Sequence, residues 1–330
     1  MKNKGNKICL IGGTGRCGST LLKKILQSHP KVADTGTKEW RFLTDPDGLA
    51  DFYATFKDNW HPQLWDVKVK RLSRLLKDLG KNNFVTSKIG TYFKKTGLWK
   101  KIPVKLIPRY AEINISKYCQ HFNLLSKILI DNLTQFDYDA RWFGSEHLRR
   151  QVMRFGAPYL MTEAFKTFYE AIVKLTLTDE EEFFVDDNAY SILWFDKILN
   201  FLPDAKLVHI YRDPRDVVCS LMNQSWAPST MYEAIKYYEG IMRTWKKVRL
   251  KVPPDSFIEV KFEDIVRKID TLWNMVDFLG IPSSPAVNNF KIDKSKTNIG
   301  KWKTEFNLSQ QVALNNLLKY QIKDLNYESD

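Results

Sequence analysis

Cysteine is scarce in this chain. There are four in 330 residues, at positions 9, 17, 119 and 219, with no Cys-x-x-Cys pair. That scatter excludes a disulfide scaffold, gives zinc no thiolate cluster, and fits a reducing compartment. Long apolar runs are missing too. Ile8-Cys9-Leu10-Ile11 is too short for a signal-peptide core, and Arg16 soon follows. No run approaches the ~20 apolar residues that cross a bilayer. The sequence therefore predicts a soluble, cytoplasmic protein without a transmembrane segment. Internal repeats and low-complexity segments are absent, and the composition excludes both disorder and collagen-like structure. Acidic residues are outnumbered, 38 against 51 Lys and Arg, a net charge of +13 that favours anionic partners.

With 44% hydrophobic and 13% aromatic residues, the chain can bury a large core. Its length suits two domains at ~150 residues each or one large α/β domain. The excess charge concentrates between Asp66 and Arg109, where thirteen basic residues face two acidic ones, a net of +11. That segment reads either as a solvated helical face or as an electropositive wall for an anionic ligand or acceptor.

Along the chain, KICLIG (7–12) has the continuous apolar character of a buried parallel strand. A glycine-rich turn, Gly13 to Gly18, leads into a helix opened by Ser19, with Leu21, Leu22, Ile25 and Leu26 at helical spacing. A second short strand is expected near Val32. Residues 45–180 read as a mostly helical, aromatic insertion containing Trp60, Trp65, Trp99 and Trp142, a lid or acceptor-binding region within one domain spanning 1–330. FFVDD (183–187), KLVHIYR (206–212) and FIEVKFED (257–264) read as strands alternating with helices. Asp213 is placed to cap a helix begun by Pro214, and Gly280 to end another. Residues 291–306 read as a basic loop before a last helix near Leu308. The alternation predicts an α/β fold, a parallel sheet flanked by helices.

The chemistry points to Gly13-Thr14-Gly15-Arg16-Cys17-Gly18-Ser19-Thr20. It fits the dinucleotide fingerprint GxGxxG, nearly fits the phosphate loop GxxxxGK[ST], and fits a phosphate loop for a donor other than a nucleoside triphosphate. In each case glycines bring backbone N–H groups close to an anion at a helix N-terminus. Ser19 stands where the phosphate-loop lysine would be, which counts against a kinase or NTPase with FFVDD as its second motif. Ser19 and Thr20 add hydroxyl donors that a dinucleotide loop does not need, which counts against an NAD-dependent oxidoreductase. Arg16 adds a fork of donors. Further on, Arg212 and Ser220 bracket the start of a proline-initiated helix and are placed to hold a second phosphate. The bland alternative there is a capped helix with Arg212 ion-paired to Asp213 or Asp216. A nucleic-acid-binding protein using the 66–109 segment is the non-catalytic alternative.

These motifs resemble those of sulfotransferases. GGTGRCGSTLLKKILQSHP is similar to their 5′-phosphosulfate loop, IYRDPRDVVCSLM to their 3′-phosphate segment, EVKFEDI to a recurrent strand end, and GKWKTEF to a basic loop near the C-terminus. The resemblance covers roughly 1–41 and 183–306. It implies a phosphate-loop-like sulfotransferase fold with a helical insertion, and 3′-phosphoadenosine 5′-phosphosulfate as donor, with no metal. It implies that Gly15, Arg16, Cys17, Gly18, Ser19 and Thr20 hold the phosphosulfate and that Arg212 and Ser220 hold the 3′-phosphate. Lys301, Trp302 and Lys303 would close over the nucleotide. Arg16 and Lys303 are the candidate cations for the leaving phosphate, and Glu39, ahead of Arg41, is the candidate base. Among the histidines, His29 and His209 read as structural, which leaves His61, His121 and His147 as alternative bases. Acceptors implied are small molecules, glycans or lipids, anionic ones included, rather than nucleic acid. Two departures stand out. Asn188 occupies a position where relatives carry lysine, and Cys17 replaces a serine beside a helix N-terminus, a setting that predicts an acidic, reactive thiol.

Overall fold

In the computed structural model of the chain, the described residues are 7–36, 39–81, 109–110, 113–140, 152–267, 269–293 and 298–328. The strands are β1 (Lys7–Gly12), β2 (Phe136–Asp139), β3 (Val152–Phe155), β4 (Phe183–Asp187), β5 (Lys206–Tyr211) and β6 (Phe257–Lys261). The helices are α1 (Ser19–Gln27), α2 (Leu49–Phe56), α3 (Pro62–Leu79), α4 (Phe122–Asn132), α5 (Met161–Thr176), α6 (Ser191–Ile198) and α7 (Pro214–Met222). They continue with α8 (Met231–Val248), α9 (Phe262–Arg267), α10 (Ile269–Leu279), α11 (Pro285–Asn288), α12 (Trp302–Glu305) and α13 (Leu308–Asp324). Two compact units divide these elements. A sheet unit holds Lys7–Thr37, Glu180–Leu199 and Asp204–Asp330, and a helical unit holds Lys38–Asp179 and Asn200–Pro203.

The sheet unit is the parallel α/β core that the sequence pattern calls for. Its strands run in the order β4-β1-β5-β6 and every pair is parallel. Ile11 of β1 lies between Asp187 of β4 and Val208 of β5. Continuous apolar runs are needed here because helices cover the strands. Cys9, Ile11, Val185, Val208 and Ile210 form one core with Leu22, Ile25 and Leu26 of α1 and with Phe262 and Ile265 of α9. The three α1 residues are spaced i, i+3, i+4, which puts them on one stripe. Asp213 caps α7 by accepting the Arg215 N–H, and Gly280, at φ 66°, ends α10.

Three expectations change. Val32 makes only an isolated bridge to Phe183 rather than a strand. The helix expected over 191–202 stops at Ile198. The strand expected over 257–264 stops at Lys261, and Phe262 begins α9. Glu263 and Asp264 then fall in the first turn of a helix, where carboxylates are favoured by the dipole. Glu263 is buried and accepts the Asp213 N–H at 3.1 Å and the Tyr327 hydroxyl at 2.6 Å.

In the helical unit, Phe52 and Phe56 of α2, Trp65 of α3 and Phe165 of α5 pack ring to ring, and the Trp65 indole donates to the Leu133 carbonyl at 3.0 Å. Trp65 is therefore core, whereas Trp60 is partly exposed. Trp99 and Trp142 lie outside the described residues. So does much of the basic segment. Within its described part, Lys68 pairs with Asp51, Lys70 with Asp66 and Lys81 with Asp78, which lowers the net field. An exposed antiparallel pair, β2 with β3, escaped the sequence reading; stacked Phe136 and Phe155 rings hold it together. Among the described residues, no helix is long and apolar enough to cross a membrane.

Candidate functional site

The loop after β1 is shaped by positive backbone angles. Gly15, Arg16 and Gly18 have φ of 76°, 59° and 97°. Gly18 is the N-cap of α1. A Cβ there would lie 2.2 Å from the Phe262 ring, and one at Gly13 would lie 2.6 Å from the Ile210 carbonyl oxygen. Glycine is therefore required twice over at Gly18, by conformation and by space.

The same loop is where distant residues converge. Arg16 Nε donates to Ser220 Oγ at 3.0 Å, across 204 positions. Arg212, only 6% exposed, donates from Nη1 to the Arg16 carbonyl at 3.4 Å, and its guanidinium lies over the Phe262 ring at 5.2 Å. Arg212 also pairs with Asp216 at 3.2 Å and bonds the Asn298 carbonyl. The local alternative foreseen for Arg212 is thus present, yet its buried Nε has no hydrogen-bond partner. Arg16 and Ser220, which the resemblance gives to separate phosphates, share one hydrogen bond here.

Asp216 does more than pair with Arg212. It accepts the Gly300 N–H at 2.7 Å and the Trp302 N–H at 3.1 Å, fixing the 298–303 segment to α7. Trp302 is buried beneath the Arg215 guanidinium, 4.2 Å from its ring centroid. Arg215 in turn is held by Asp213 at 2.8 Å. Lys301 and Lys303 are exposed, Lys301 3.4 Å from Glu305 and Lys303 5.4 Å from the Trp302 ring. Trp302 in this conformation acts as an anchor, and the two lysines flank it.

At the end of β4, Asp187 is 2% exposed. The nearby side chains of Ser19 and Thr20 and the charge of Lys23, a fully buried α1 residue, act to lower its pKa. Burial outweighs them and raises it above the usual carboxylate range. Its Oδ1 has no hydrogen-bond partner. Next to it, Asn188 is buried, accepts the Tyr190 N–H at 3.2 Å, and leaves its own side-chain nitrogen without a partner.

Cys17 corrects an expectation. Its thiol is buried in the core cluster rather than presented to solvent. Burial, and then the Asp187 charge, push it up to about 11 in spite of N–H groups at Ser19, Cys17 and Thr14. Helix proximity lowers a thiol pKa only where solvent or a cation can share the charge. The remaining cysteines are also free and buried.

Glu39 belongs to the helical unit. Its carboxylate pairs with Arg41 at 2.9 Å, and Arg41 Nε reaches Asp45 at 2.8 Å. Tyr110 donates to Asp45 at 2.8 Å; burial, then this bond, push its hydroxyl up to about 12. His29 is structural, with Nδ1 accepting the Lys31 N–H and Nε2 facing the Pro282 carbonyl. His209 is buried against Glu259 at 2.9 Å. His61 caps α3 and His121 precedes α4, while His147 lies outside the described residues. No group of three or more His, Cys, Asp or Glu that could hold a metal ion occurs among the described residues.

Sequence reasoning missed three contributors, Asp187, Lys23 and Trp226, and for Asp216 it foresaw the pair with Arg212 but not the hold on Gly300 and Trp302. Trp226 is 54% exposed, and its ring edge would lie 3.3 Å from a Cβ on Gly15. FFVDD offered a signal for Asp187. None existed for Trp226, since a tryptophan in a loop gives no sign of what it faces.

The core is therefore an α/β protein whose glycine loop joins its inner strand β1 to α1, with two arginines at the loop. A family model described as "Sulfotransferase family" matches residues 127–285, just under half the chain, which include Arg212 and Ser220 but not the loop itself. Over that stretch the chain is similar to the sulfotransferase family. Similar solved structures include the sulfotransferase domain of the Synechococcus PCC 7002 olefin synthase, at 17% identity and TM-score 0.47, covering 95% of this chain and 87% of that one. The sulfotransferase domain from the curacin biosynthetic pathway is 14% identical at TM-score 0.48, with 98% of each chain covered. A sulfotransferase from Alicyclobacillus acidocaldarius is 13% identical at TM-score 0.40, covering 97% and 96%. No curated protein matches the sequence.

Proposed function

We propose that this protein is a sulfotransferase that uses 3′-phosphoadenosine 5′-phosphosulfate and moves its sulfuryl group to a hydroxyl or amine of a small-molecule, glycan or lipid acceptor, anionic ones included. The observation that carries the donor assignment is the meeting of Arg16, Arg212 and Ser220 at one loop, with a buried Arg212 Nε that has no partner. A buried guanidinium N–H without an acceptor costs free energy, and a phosphate oxygen would relieve it.

In this reading the loop from Gly15 to Thr20 binds the phosphosulfate, and Arg212 and Ser220 bind the 3′-phosphate. The acceptor oxygen or nitrogen forms a bond to sulfur as the sulfur–oxygen bond to the 5′-phosphate breaks. The acceptor's proton passes to a base, the role that the family resemblance gives to Glu39, and 3′,5′-adenosine bisphosphate leaves. Charge grows on the leaving phosphate, so Arg16, with Lys303 as second cation, stabilises the transition state more than the ground state.

The test is a thermal-shift series with 3′,5′-adenosine bisphosphate, AMP, ATP–Mg²⁺ and NAD. At a hundred times its dissociation constant a ligand stabilises by ~2.7 kcal/mol, a shift of several degrees. The bisphosphate alone should move the melt. Arg212→Ala should weaken it by about 10- to 150-fold, the worth of a charged hydrogen bond, with little effect on AMP. A shift by ATP–Mg²⁺ or NAD instead, or equal losses for bisphosphate and AMP, would overturn the assignment.

A further inference from the structure

The helical unit holds a cavity of about 520 Å³ whose walls are polar and basic. Small-molecule pockets run to about 300–1,000 Å³, so the space suits a ligand of sugar size. One wall is α3. Its apolar stripe, Leu72, Leu75, Leu76 and Leu79, is buried in the core. The stripe beside it lines the cavity at spacing i, i+4, i+7, i+8: Ser73 and Lys77, then Gly80 and Lys81 just past the helix end. The facing wall is α4, where Asn123, Ser126, Lys127, Ile130 and Asp131 share one face in the same way.

At one end the walls are tied together. The Gly80 carbonyl accepts the Ser116 hydroxyl at 2.8 Å and the Asn123 amide at 3.4 Å, and a Cβ on Gly80 would lie 2.1 Å from Asn123 Oδ1. The groove is therefore part of how the two helices pack. Strand β3 adds Arg154, whose backbone N–H donates to buried Asp66 at 2.9 Å. Four cations thus line the groove against one carboxylate, Asp131. Lys81 is neutralised by Asp78 at 2.6 Å. Lys77, Lys127 and Arg154 come from three different elements and have no ion-pair partner among the described residues. Charges of one sign converging on a partly enclosed space repel one another and concentrate anions there. No aromatic ring is among the described residues that line the groove, so a nucleobase has no face to stack on. The serine hydroxyls, the Asn123 amide and Asp131 suit the hydroxyls of a polyol.

We propose that this groove binds the phosphate or sulfate group of a small hydroxylated molecule, with Lys77, Lys127 and Arg154 around the anion. The site shares no residue with the glycine loop, and it stands whatever that loop binds. It also gives the basic residues at the end of α3 a task that a solvated helical face would not.

The experiment is a ligand-observed NMR titration of the full chain, in a buffer without phosphate, with glucose 6-phosphate, glucose 6-sulfate and glucose as probes. At least one ester should bind saturably, and glucose should not. A tighter phosphate ester marks a phosphorylated ligand, and a tighter sulfate ester a sulfated one. Lys77→Gln and Lys127→Gln should each weaken the better ester about fivefold, the worth of one partly screened charge pair. Lys174→Gln, the same charge change on an exposed lysine of α5 away from the groove, should leave its affinity unchanged, and so should Arg16→Gln in the loop. Lys77 and Lys127 are exposed, so folding is not at stake in these variants. Neither ester binding, glucose binding as well as the esters, equal affinities in the Lys77, Lys127 and Lys174 variants, or a loss confined to Arg16→Gln would each overturn the site. A chain that ignores 3′,5′-adenosine bisphosphate but holds an ester in the groove would sink the donor reading and leave this one standing.

Discussion

Replacing Gly18 by alanine tests the loop and the core together. The new methyl would sit 2.2 and 2.3 Å from two Phe262 ring carbons, against an ordinary contact of about 3.4 Å or more. The ring cannot yield freely. Phe262 is buried in the core cluster, and the Arg212 guanidinium lies over it. Overpacking of this kind costs about 1–3 kcal/mol. A side chain held at φ 97° adds about 1–2 kcal/mol. Against these, alanine stiffens the unfolded chain and returns about 0.4–1 kcal/mol. Gly18→Ala should therefore lose about 2–4 kcal/mol in urea unfolding. Phe262→Ala alone should lose about 3–5 kcal/mol. The double variant should be more stable than the sum of the two by about 1–3 kcal/mol, because the clash is gone and only the backbone strain remains. A Gly18→Ala protein within about 0.5 kcal/mol of wild type, or two losses that simply add, would refute the close packing of loop against ring.

Other outcomes are expected. Native protein at pH 8 should not be labelled by iodoacetamide at Cys17, whose buried thiol sits near 11, and all four cysteines should label in denaturant; mass spectrometry reads both. For Glu259, burial works to raise its pKa, but His209, Trp245 and Arg249 hold it down to about 2. Its stabilisation is thus present above pH 4.5 and lost as pH falls towards 2, and Glu259→Gln should melt about 2 °C lower at pH 7 but level with wild type in strong acid, the screened worth of a half-exposed group. Glu39→Ala should leave the melting temperature and bisphosphate affinity nearly unchanged, since its pair with Arg41 is partly exposed, while transfer is abolished. Retained turnover would send the search for a base to His61, His121 and His147.

The sheet and its loop were legible because their signals are local. Apolar runs in 7–12, 183–187 and 206–211 mark buried strands, and Asp213-Pro214 marks a capped helix wherever it sits. Boundaries set by tertiary contact were not. Phe262 reads as the end of a strand, but its ring fills space against Gly18, and the chain turns into α9 there. Cys17 shows the same limit for chemistry. Its neighbours in sequence promise a reactive thiol, whereas its neighbours in space bury it. Arg16 with Ser220, and Asp216 with Gly300 and Trp302, are pairings across long stretches of chain that no spacing rule reports.

The pairing of β1 with β4 has a consequence for how the protein is made. Lys7 meets Phe183, and β5 on the other side lies later still. At about 5–20 residues per second, β1 leaves the ribosome roughly 10–30 s before its first partner strand is synthesised. During that interval an apolar segment has both hydrogen-bonding edges open, a state prone to wrong pairing. The helical unit, contributed almost wholly by the intervening residues, can acquire its own core meanwhile, and the sheet then closes late, from the C-terminal half inward. Nascent chains of this protein should accordingly lean on chaperones until β5 emerges, and a circular permutant that begins at β4 should fold with less help.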